Sequence, residues 1–190
     1  MTKIIHYLTV AAGITAAVAP LRLATAQDVL SGTVDVSGDW VFLDFGASSF
    51  QIDVADPVAS SEWDLGILGT TVSVNGGESG PGDVVAYCIC RNQGLGDEEI
   101  QALAVEAALA DFESVGTADL PTDPGAWDGG VFDTNPWYRY NLAGQHLIWP
   151  TYDVFLIKRG DEVYKIQFVD FYTPDGEPRN LTIRYAKLAD

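Results

Sequence analysis

Basic residues are scarce in this sequence. Its 190 residues include 10 lysines and arginines against 27 aspartates and glutamates, which gives a formal net charge of −17. A surface this acidic repels the phosphates of nucleic acids and of anionic lipids, so we expect no nucleic-acid partner. The carboxylates are dispersed along the chain and do not form a calcium loop, so solubility is the favoured explanation for them.

Long hydrophobic runs are also missing, apart from one near the N-terminus. The apolar run from Tyr7 to Ala19 is followed by Ala24-Thr25-Ala26, the small-x-small pattern typical of a signal-peptidase site. We expect residues 1–26 to be a signal peptide, cleaved before Gln27, and residues 27–190 to form one periplasmic or secreted domain. No run reaches the length of about 18 apolar residues that spans a bilayer, so we expect no membrane insertion and a soluble product.

Side chains that bind metals are few once the expected signal peptide is removed. One histidine remains, His146, with two cysteines, Cys88 and Cys90, and no methionine. A zinc site takes three protein ligands when catalytic and four when structural, so these residues alone are too few for most zinc sites. A Cys–His hydrolase also needs an acid that orients the histidine, and no spacing in the sequence brings such a set together. We therefore expect a binding protein and not an enzyme.

The two cysteines lie two residues apart on a predicted strand, so both side chains point to the same face of it. This favours a structural role, as a buried thiol pair or as a tight disulfide in an oxidising compartment. A ligand or redox role is the second interpretation. Neither Cys88 nor Cys90 follows the N-terminal apolar run directly, so a lipid anchor is not expected.

Alternation of apolar and polar residues predicts a mainly β, antiparallel fold. The runs Ile67 to Val74 and Val84 to Cys90 are predicted as strands. Tyr152 to Lys158 and Glu162 to Phe171 are predicted as a hairpin that turns at Arg159-Gly160-Asp161.

The rest of the chain predicts one helix, one long loop and a final strand. The helix is expected over about residues 97–114, because three acids open a periodic apolar run and suit the positive end of a helix dipole. Residues 116–136 are rich in proline and glycine and predict an irregular loop, of the length that is often functional. Arg179 to Leu188 is predicted as the last strand.

His146 lies in a connector that is rich in aromatic residues. A lone histidine among apolar residues is more often structural than a ligand. Tryptophan and tyrosine at this density indicate a core first, because they bury large areas. From these residues alone both interpretations of the connector stay open. The aromatic residues near His146 include Trp137, Tyr138, Tyr140 and Trp149.

The most specific motif is the glycine-rich stretch Asn75–Gly82, Asn-Gly-Gly-Glu-Ser-Gly-Pro-Gly. It lacks the lysine and the following serine or threonine of a P-loop, so a phosphate cradle is excluded. With Trp63-Asp64 upstream and the hairpin between Val154 and Phe171 downstream, the chain resembles the HmuY family of exported haem-binding proteins. The resemblance runs from about Asp39 to Leu188.

This resemblance implies a single-domain, antiparallel meander or sandwich-like fold with one helix. It also implies a non-catalytic protein that captures haem and delivers it to an outer-membrane haem receptor. The alternative is an exported, β-rich binding or surface-interaction module of the same fold that takes a different ligand.

The histidine pair that holds haem iron in this family is incomplete here. One family histidine corresponds to a position near Asn141, and the other belongs in the 116–136 loop, which contains no histidine. The resemblance therefore leaves His146 as the axial ligand, either alone or with Tyr138 or Tyr140, since tyrosine also binds haem iron. In that arrangement Trp137 and Trp149 are expected to supply walls for the porphyrin.

Overall fold

The computed structural model describes residues 28–142 and 144–188; the expected signal peptide, residues 1–26, and the cleavage site before Gln27 lie outside the described residues. Short antiparallel strands dominate this part of the chain. The strands are β1 (Leu30–Asp35), β2 (Val41–Leu43), β3 (Gln51–Ile52), β4 (Leu65–Leu68), β5 (Thr71–Val74), β6 (Val85–Cys88), β7 (Tyr138–Tyr140), β8 (Ile148–Pro150), β9 (Val154–Arg159), β10 (Glu162–Tyr172) and β11 (Pro178–Lys187). The helices are α1 (Asp97–Gln101), α2 (Val105–Ser114) and α3 (Val131–Thr134), with 3-10 turns at Thr117–Asp119 and Pro124–Ala126.

Two antiparallel sheets pack around the main core. One has the strand order β1-β11-β10-β9-β6 and the other has the order β3-β2-β4-β5. Leu65 and Ile67 of the smaller sheet belong to the same buried cluster as Phe155, Ile157 and Ile166 of the larger one. The prediction of a mainly β, sandwich-like antiparallel fold is therefore confirmed.

A helix covers the other face of the five-stranded sheet. Phe112 of α2 is fully buried against Val154, Leu156 and Ala186. Strand β9 is therefore buried on both faces, which explains why its sequence is a continuous apolar run instead of an alternating one.

The helix that the sequence predicts over residues 97–114 is divided in two. Ala102 closes α1 and Ala104, with an extended backbone, precedes α2. The physical reason is that the two segments dock on different partners: α1 contacts β8, and α2 contacts β10. Tertiary contacts here override the helix propensity of an alanine-rich stretch.

The single strand predicted from Ile67 to Val74 is also divided, since it forms the second half of β4 and the whole of β5. The chain turns back at Gly69 and Thr70, and Leu68 pairs with Thr71. Gly69 has a φ of 58°, the left-handed conformation that the first central residue of a two-residue hairpin turn requires. The C-terminal hairpin and the last strand follow the predictions closely, as β9, β10 and β11.

The glycine-rich stretch is wrapped around one buried side chain. Asn75 is fully buried; its Nδ2 donates to the Ser60 carbonyl at 3.0 Å and its Oδ1 accepts from the Gly82 amide at 3.0 Å. A Cβ at Gly80 would lie 2.9 Å from Trp63 Cζ2 and closer still to Asn75 Oδ1. Close packing on Asn75 therefore requires glycine at positions 80 and 82, whereas Gly76 is confined by the Val84 carbonyl and Gly77 has a φ of 60°.

Candidate functional site

Strands β7 and β8 form a separate two-stranded sheet that carries His146 in its connecting loop. We call residues 138–150 the His146 hairpin. Tyr138 pairs with Pro150, Arg139 with Trp149 and Tyr140 with Ile148. Because neighbours across a strand pair share a face, Tyr138 and Tyr140 lie on one side of the hairpin, and Arg139 and Trp149 lie on the other.

His146 and Tyr140 form a hydrogen-bonded pair at the end of this hairpin. The Tyr140 hydroxyl lies 2.9 Å from His146 Nδ1, and the ring centroids are 6.0 Å apart. Both residues are exposed, Tyr140 at 56%. When Nδ1 donates its proton to the phenol oxygen, Nε2 keeps the lone pair that can bind a metal. His146 Nε2 makes no hydrogen bond to any residue in the described ranges.

The loop that presents His146 is held by Asn141. Asn141 Oδ1 accepts from the His146 backbone amide at 2.7 Å, and the Asn141 amide donates to the Leu147 carbonyl at 2.8 Å. Asn141 and His146 both have positive φ, 62° and 57°, a conformation that asparagine and histidine adopt more readily than most other residues. The side chain of Asn141 therefore fixes the backbone from which the imidazole projects.

The two aromatic residues at the start of the hairpin face the core. Trp137 is 2% exposed; it stacks on Phe168 with centroids 4.9 Å apart, and its Nε1 donates to the Thr70 carbonyl at 3.0 Å. Tyr138 is half-buried and packs against the same core, with its ring 5.1 Å from that of Trp137. The indole faces of Trp137 are therefore covered by protein, and this residue supports the hairpin from below.

The opposite side of the hairpin contains two polar atoms without partners. Arg139 Nε and Trp149 Nε1 are enclosed and make no hydrogen bond in the part of the chain that the structure describes. Arg139 has one anchor, because its Nη2 donates to the Gln93 carbonyl at 2.6 Å. Leaving an enclosed donor unpaired costs about 1–3 kcal/mol, so this face contributes little to holding the hairpin in place.

A loop from β6 secures the base of the hairpin. The Asn92 amide donates to Asp153 Oδ1 at 2.8 Å, and Gln93 Nε2 donates to Asp153 Oδ2 at 2.7 Å and to the Pro136 carbonyl at 2.9 Å. Asn92 Nδ2 also donates to the Thr151 carbonyl at 2.8 Å. We call Asn92 and Gln93 the brace. Asp153 is 1% exposed, and its burial raises the pKa of the carboxyl group.

Cys88 and Cys90, which precede the brace with Arg91 between them, form a disulfide. Of the two structural arrangements that the sequence allowed, a thiol pair and a disulfide, the structure has the second. Cys88 belongs to the main core and Cys90 packs against it from a half-buried position. The sequence predicted that this strand would extend to Cys90, but β6 ends at Cys88. The reason is that Cys90 has a φ of 49° and leaves the sheet.

Two clefts lie elsewhere on the surface. One, of about 300 Å³, lies beside Trp40 and Ile52; the other, of about 340 Å³, lies between the glycine-rich loop and residues 128–133. Neither is lined by a residue of the His146 hairpin. Over the described ranges, no group of three or more histidine, cysteine or acidic side chains is arranged to hold a metal ion, and no helix is long and apolar enough to cross a membrane.

Solved structures share this fold. A candidate HmuY-like haem-binding protein from Bacteroides vulgatus matches with a TM-score of 0.52 and 13% identity, over 90% of this chain and 97% of its own. A candidate lipoprotein from Bacteroides fragilis matches with a TM-score of 0.50 and 14% identity, over 88% of this chain and 95% of its own. Neither a protein-family model nor a curated protein sequence matches this chain. The chain thus has the HmuY-like fold, as its sequence motifs indicated.

The donors on the hairpin suit haem in part. An exposed imidazole with a free Nε2 and an Nδ1 held by a phenol is a suitable arrangement for an axial ligand. The accessible aromatic surface beside it comes from Tyr140, with a smaller contribution from the half-buried Tyr138. Trp149 lies on the opposite side of the hairpin and Trp137 is enclosed, so neither forms the porphyrin wall that the resemblance implied. In the described residues, the hairpin therefore presents one exposed imidazole on an open surface.

Proposed function

We propose that this chain is an exported haem-binding protein in which His146 is the axial ligand of the iron. The observation that carries the proposal is the 2.9 Å hydrogen bond between Tyr140 and His146 Nδ1, which orients the imidazole and leaves Nε2 free. Haem supplies a Lewis-acidic iron and a flat apolar ring. His146 binds the iron, and the exposed ring of Tyr140 packs against the porphyrin.

The fold supports this proposal because it is the fold of an HmuY-like haem-binding protein. Within the proposal, Tyr138 extends the apolar surface on the side of Tyr140, Trp149 lies on the opposite side of the hairpin, and Trp137 holds the hairpin on the core. The role is binding without catalysis: the protein captures haem for delivery to an outer-membrane haem receptor.

Export is a further part of the proposal and rests on Ala24-Thr25-Ala26 after the N-terminal apolar run. The mature protein is expected to begin at Gln27, with residues 27–190 as one domain. Intact-mass measurement of the exported protein tests this directly. A chain that begins elsewhere, or that carries a lipid, would show this step to be wrong.

Titration with hemin, followed by visible absorption, tests the binding. The wild-type protein is expected to give a sharp Soret shift that saturates at a defined stoichiometry. His146→Ala is expected to weaken binding at least tenfold, which corresponds to about 1.4 kcal/mol, with an altered Soret band and an unchanged circular dichroism spectrum. Tyr140→Phe should change the spectrum less, because the imidazole remains and loses only its hydroxyl partner.

Tyr87→Phe is a matched control, since Tyr87 is a half-buried tyrosine on β6 whose ring packs near that of Trp127. It should leave both hemin affinity and spectrum unchanged. Unaltered affinity and spectrum in His146→Ala would show that His146 is not an axial ligand. If the wild-type protein gives only broad, unsaturable absorption changes, the fold serves a different ligand.

A further inference from the structure

The disulfide lies next to the brace, and its ring constrains where the brace points. It spans a single residue, with the Cα atoms of Cys88 and Cys90 5.0 Å apart. Cys88 still pairs with Phe155, and the Ile89 amide donates to the Val154 carbonyl at 2.9 Å. The next partner of the ladder would be Asp153 opposite Cys90, but the positive φ of Cys90 turns the chain out of the sheet.

This turn delivers the brace to Asp153. Instead of a ladder partner, the carboxylate of Asp153 receives the Asn92 amide and the Gln93 side chain. Gln93 then offers its carbonyl to Arg139, which lies between the two tyrosines of β7. Hydrogen bonds of Gln93, three residues after Cys90, therefore connect Asp153 to the strand that carries Tyr140.

The His146 hairpin depends on this chain of contacts. Its Arg139 and Trp149 side chains each leave an enclosed donor unpaired, so that face gives the hairpin little support of its own. On the other side, the Ile148 amide is held by the Tyr172 hydroxyl at 2.8 Å. The hairpin is thus held by the packing of Tyr138 and Ile148 on the core, by the Tyr172 hydroxyl and by the brace, and the brace follows Cys90 by two residues.

We propose that the Cys88–Cys90 disulfide positions the His146 hairpin through Asn92 and Gln93, and that a dithiol reductant releases the hairpin. A thiolate of the dithiol attacks one Cys sulfur, which breaks the Cys88–Cys90 bond, forms a mixed disulfide and releases the other cysteine as a thiolate. The second thiol of the reductant then displaces the remaining Cys sulfur. The products are two cysteine thiols and one cyclic oxidised dithiol, so two electrons pass from reductant to protein.

Once reduced, Cys90 is no longer held in its left-handed conformation. A non-glycine residue in that region relaxes readily to extended backbone. Cys90 can then continue β6 and pair with the backbone of Asp153, as the alternation of its sequence favours. Continuing the strand draws Asn92 and Gln93 away from the Asp153 carboxylate and removes one support of the hairpin.

Amide hydrogen exchange tests this without any ligand. Reduction with dithiothreitol is expected to speed exchange at two amides at least tenfold: that of Asn92, which donates to Asp153, and that of Asn141, which donates to the Leu147 carbonyl. Amides in the β10–β11 ladder should keep their rates. Cys88→Ser/Cys90→Ser should exchange rapidly at the same two amides and should not respond to the reductant. Asn92→Ala, which keeps the disulfide, should speed exchange at the Asn141 amide, and Tyr172→Phe should speed exchange at the Ile148 amide in both redox states.

Two outcomes would overturn the proposal. Unchanged exchange at the Asn92 and Asn141 amides after complete reduction would show that the disulfide does not position the hairpin. Equal acceleration throughout the molecule, including β10 and β11, would show that it acts only on global stability.

Hemin binding gives a second readout, and this part alone rests on the proposed function. Both variants, Cys88→Ser/Cys90→Ser and Asn92→Ala, should weaken hemin binding about threefold or more and alter the Soret band. The measurement is made without reductant, because thiolates also bind haem iron. If no variant or wild-type protein binds hemin, the proposed function fails while the exchange result still decides the role of the disulfide. If hemin binds the wild-type protein and both variants equally, the positioning proposal is wrong and the function stands.

Discussion

The buried ammonium of Lys165 lies 4.7 Å from the ring centroid of Phe112 and donates to the Phe112 carbonyl at 2.9 Å. It donates to the Val115 carbonyl at 2.8 Å as well. One charge therefore satisfies two carbonyls at the C-terminal end of α2, where the helix dipole is negative. No carboxylate lies within 4.0 Å of this ammonium in the described ranges, so Lys165 connects α2 to the five-stranded sheet through backbone oxygens.

Replacement of Lys165 by methionine should destabilise the protein by about 1–3 kcal/mol. The apolar side chain fills similar space, but it leaves two carbonyls without a donor. Urea denaturation followed by circular dichroism measures the change. Lys158→Met is the matched control, because Lys158 is half-buried and the only described partner of its ammonium is the ring of Trp127, at 5.6 Å. This replacement should change the free energy of unfolding by no more than about 0.5 kcal/mol. Equal effects of the two replacements would contradict this role for Lys165.

Asp64 should make stability depend on pH. It is fully buried, and burial raises its pKa from 3.8 to about 6, although the Phe45 amide and Arg159, 3.1 Å away, favour the charged form. The folded protein thus holds this proton more tightly than the unfolded chain does. The contribution of Asp64 to the free energy of unfolding is greatest below about pH 4 and falls by about 3 kcal/mol as the pH rises to about 6.

Asp64→Asn should remove this pH dependence, because the amide stays neutral at every pH. Urea denaturation at intervals between pH 4 and pH 7 measures it. Asp175→Asn, in the turn before β11, controls for the loss of one negative charge. If the free energy of unfolding of Asp64→Asn falls by the same amount between pH 4 and pH 7, groups other than Asp64 cause the pH dependence.

Gly80→Ala should destabilise the fold by about 1–3 kcal/mol through overpacking. The added Cβ would meet Asn75 Oδ1 and lie 2.9 Å from Trp63 Cζ2, and both neighbours are enclosed. Gly38→Ala is the control, because a Cβ there meets nothing within 4 Å. Thermal unfolding of the two variants separates close packing from the general effect of replacing glycine, and equal melting temperatures would count against the packing role.

Asn141 should matter for the hairpin through its side chain and through its backbone. Asn141→Ala removes the acceptor for the His146 amide and places alanine at a φ of 62°, whereas Asn141→Gly removes only the acceptor. Both should speed hydrogen exchange at the His146 amide. Alanine should also lower stability by about 1 kcal/mol relative to glycine. Protection of the His146 amide in both variants would show that the side chain does not hold the loop.

The fold could be predicted from sequence where the signals are local. The C-terminal hairpin is an example, since a two-residue turn containing Gly160 separates two runs rich in β-branched and aromatic residues. The break between α1 and α2 could not be predicted, because it follows from docking on two different strands. The β4–β5 turn was available in the sequence as Gly69, but a strand-like run on both sides concealed it.

The candidate site was only partly predictable for a similar reason. Aromatic density identified the connector, and scarcity identified His146. Sequence cannot distinguish a tryptophan that faces a ligand from one that faces the core, and Trp137 proves to be 2% exposed. The brace of Asn92 and Gln93 on Asp153 was missed, because about 60 residues of chain separate these partners and no local pattern relates them.

The glycine-rich loop, the most distinctive motif of the sequence, closes on Asn75 and shares no described hydrogen bond with the His146 hairpin. Its packing on Asn75 therefore serves the architecture of the fold, which needs this closure whichever ligand the chain takes. Under the proposed function, the ligand contacts lie instead on one hairpin of thirteen residues, 138–150. Rewriting that hairpin on an unchanged frame is then the natural way to alter what the scaffold carries.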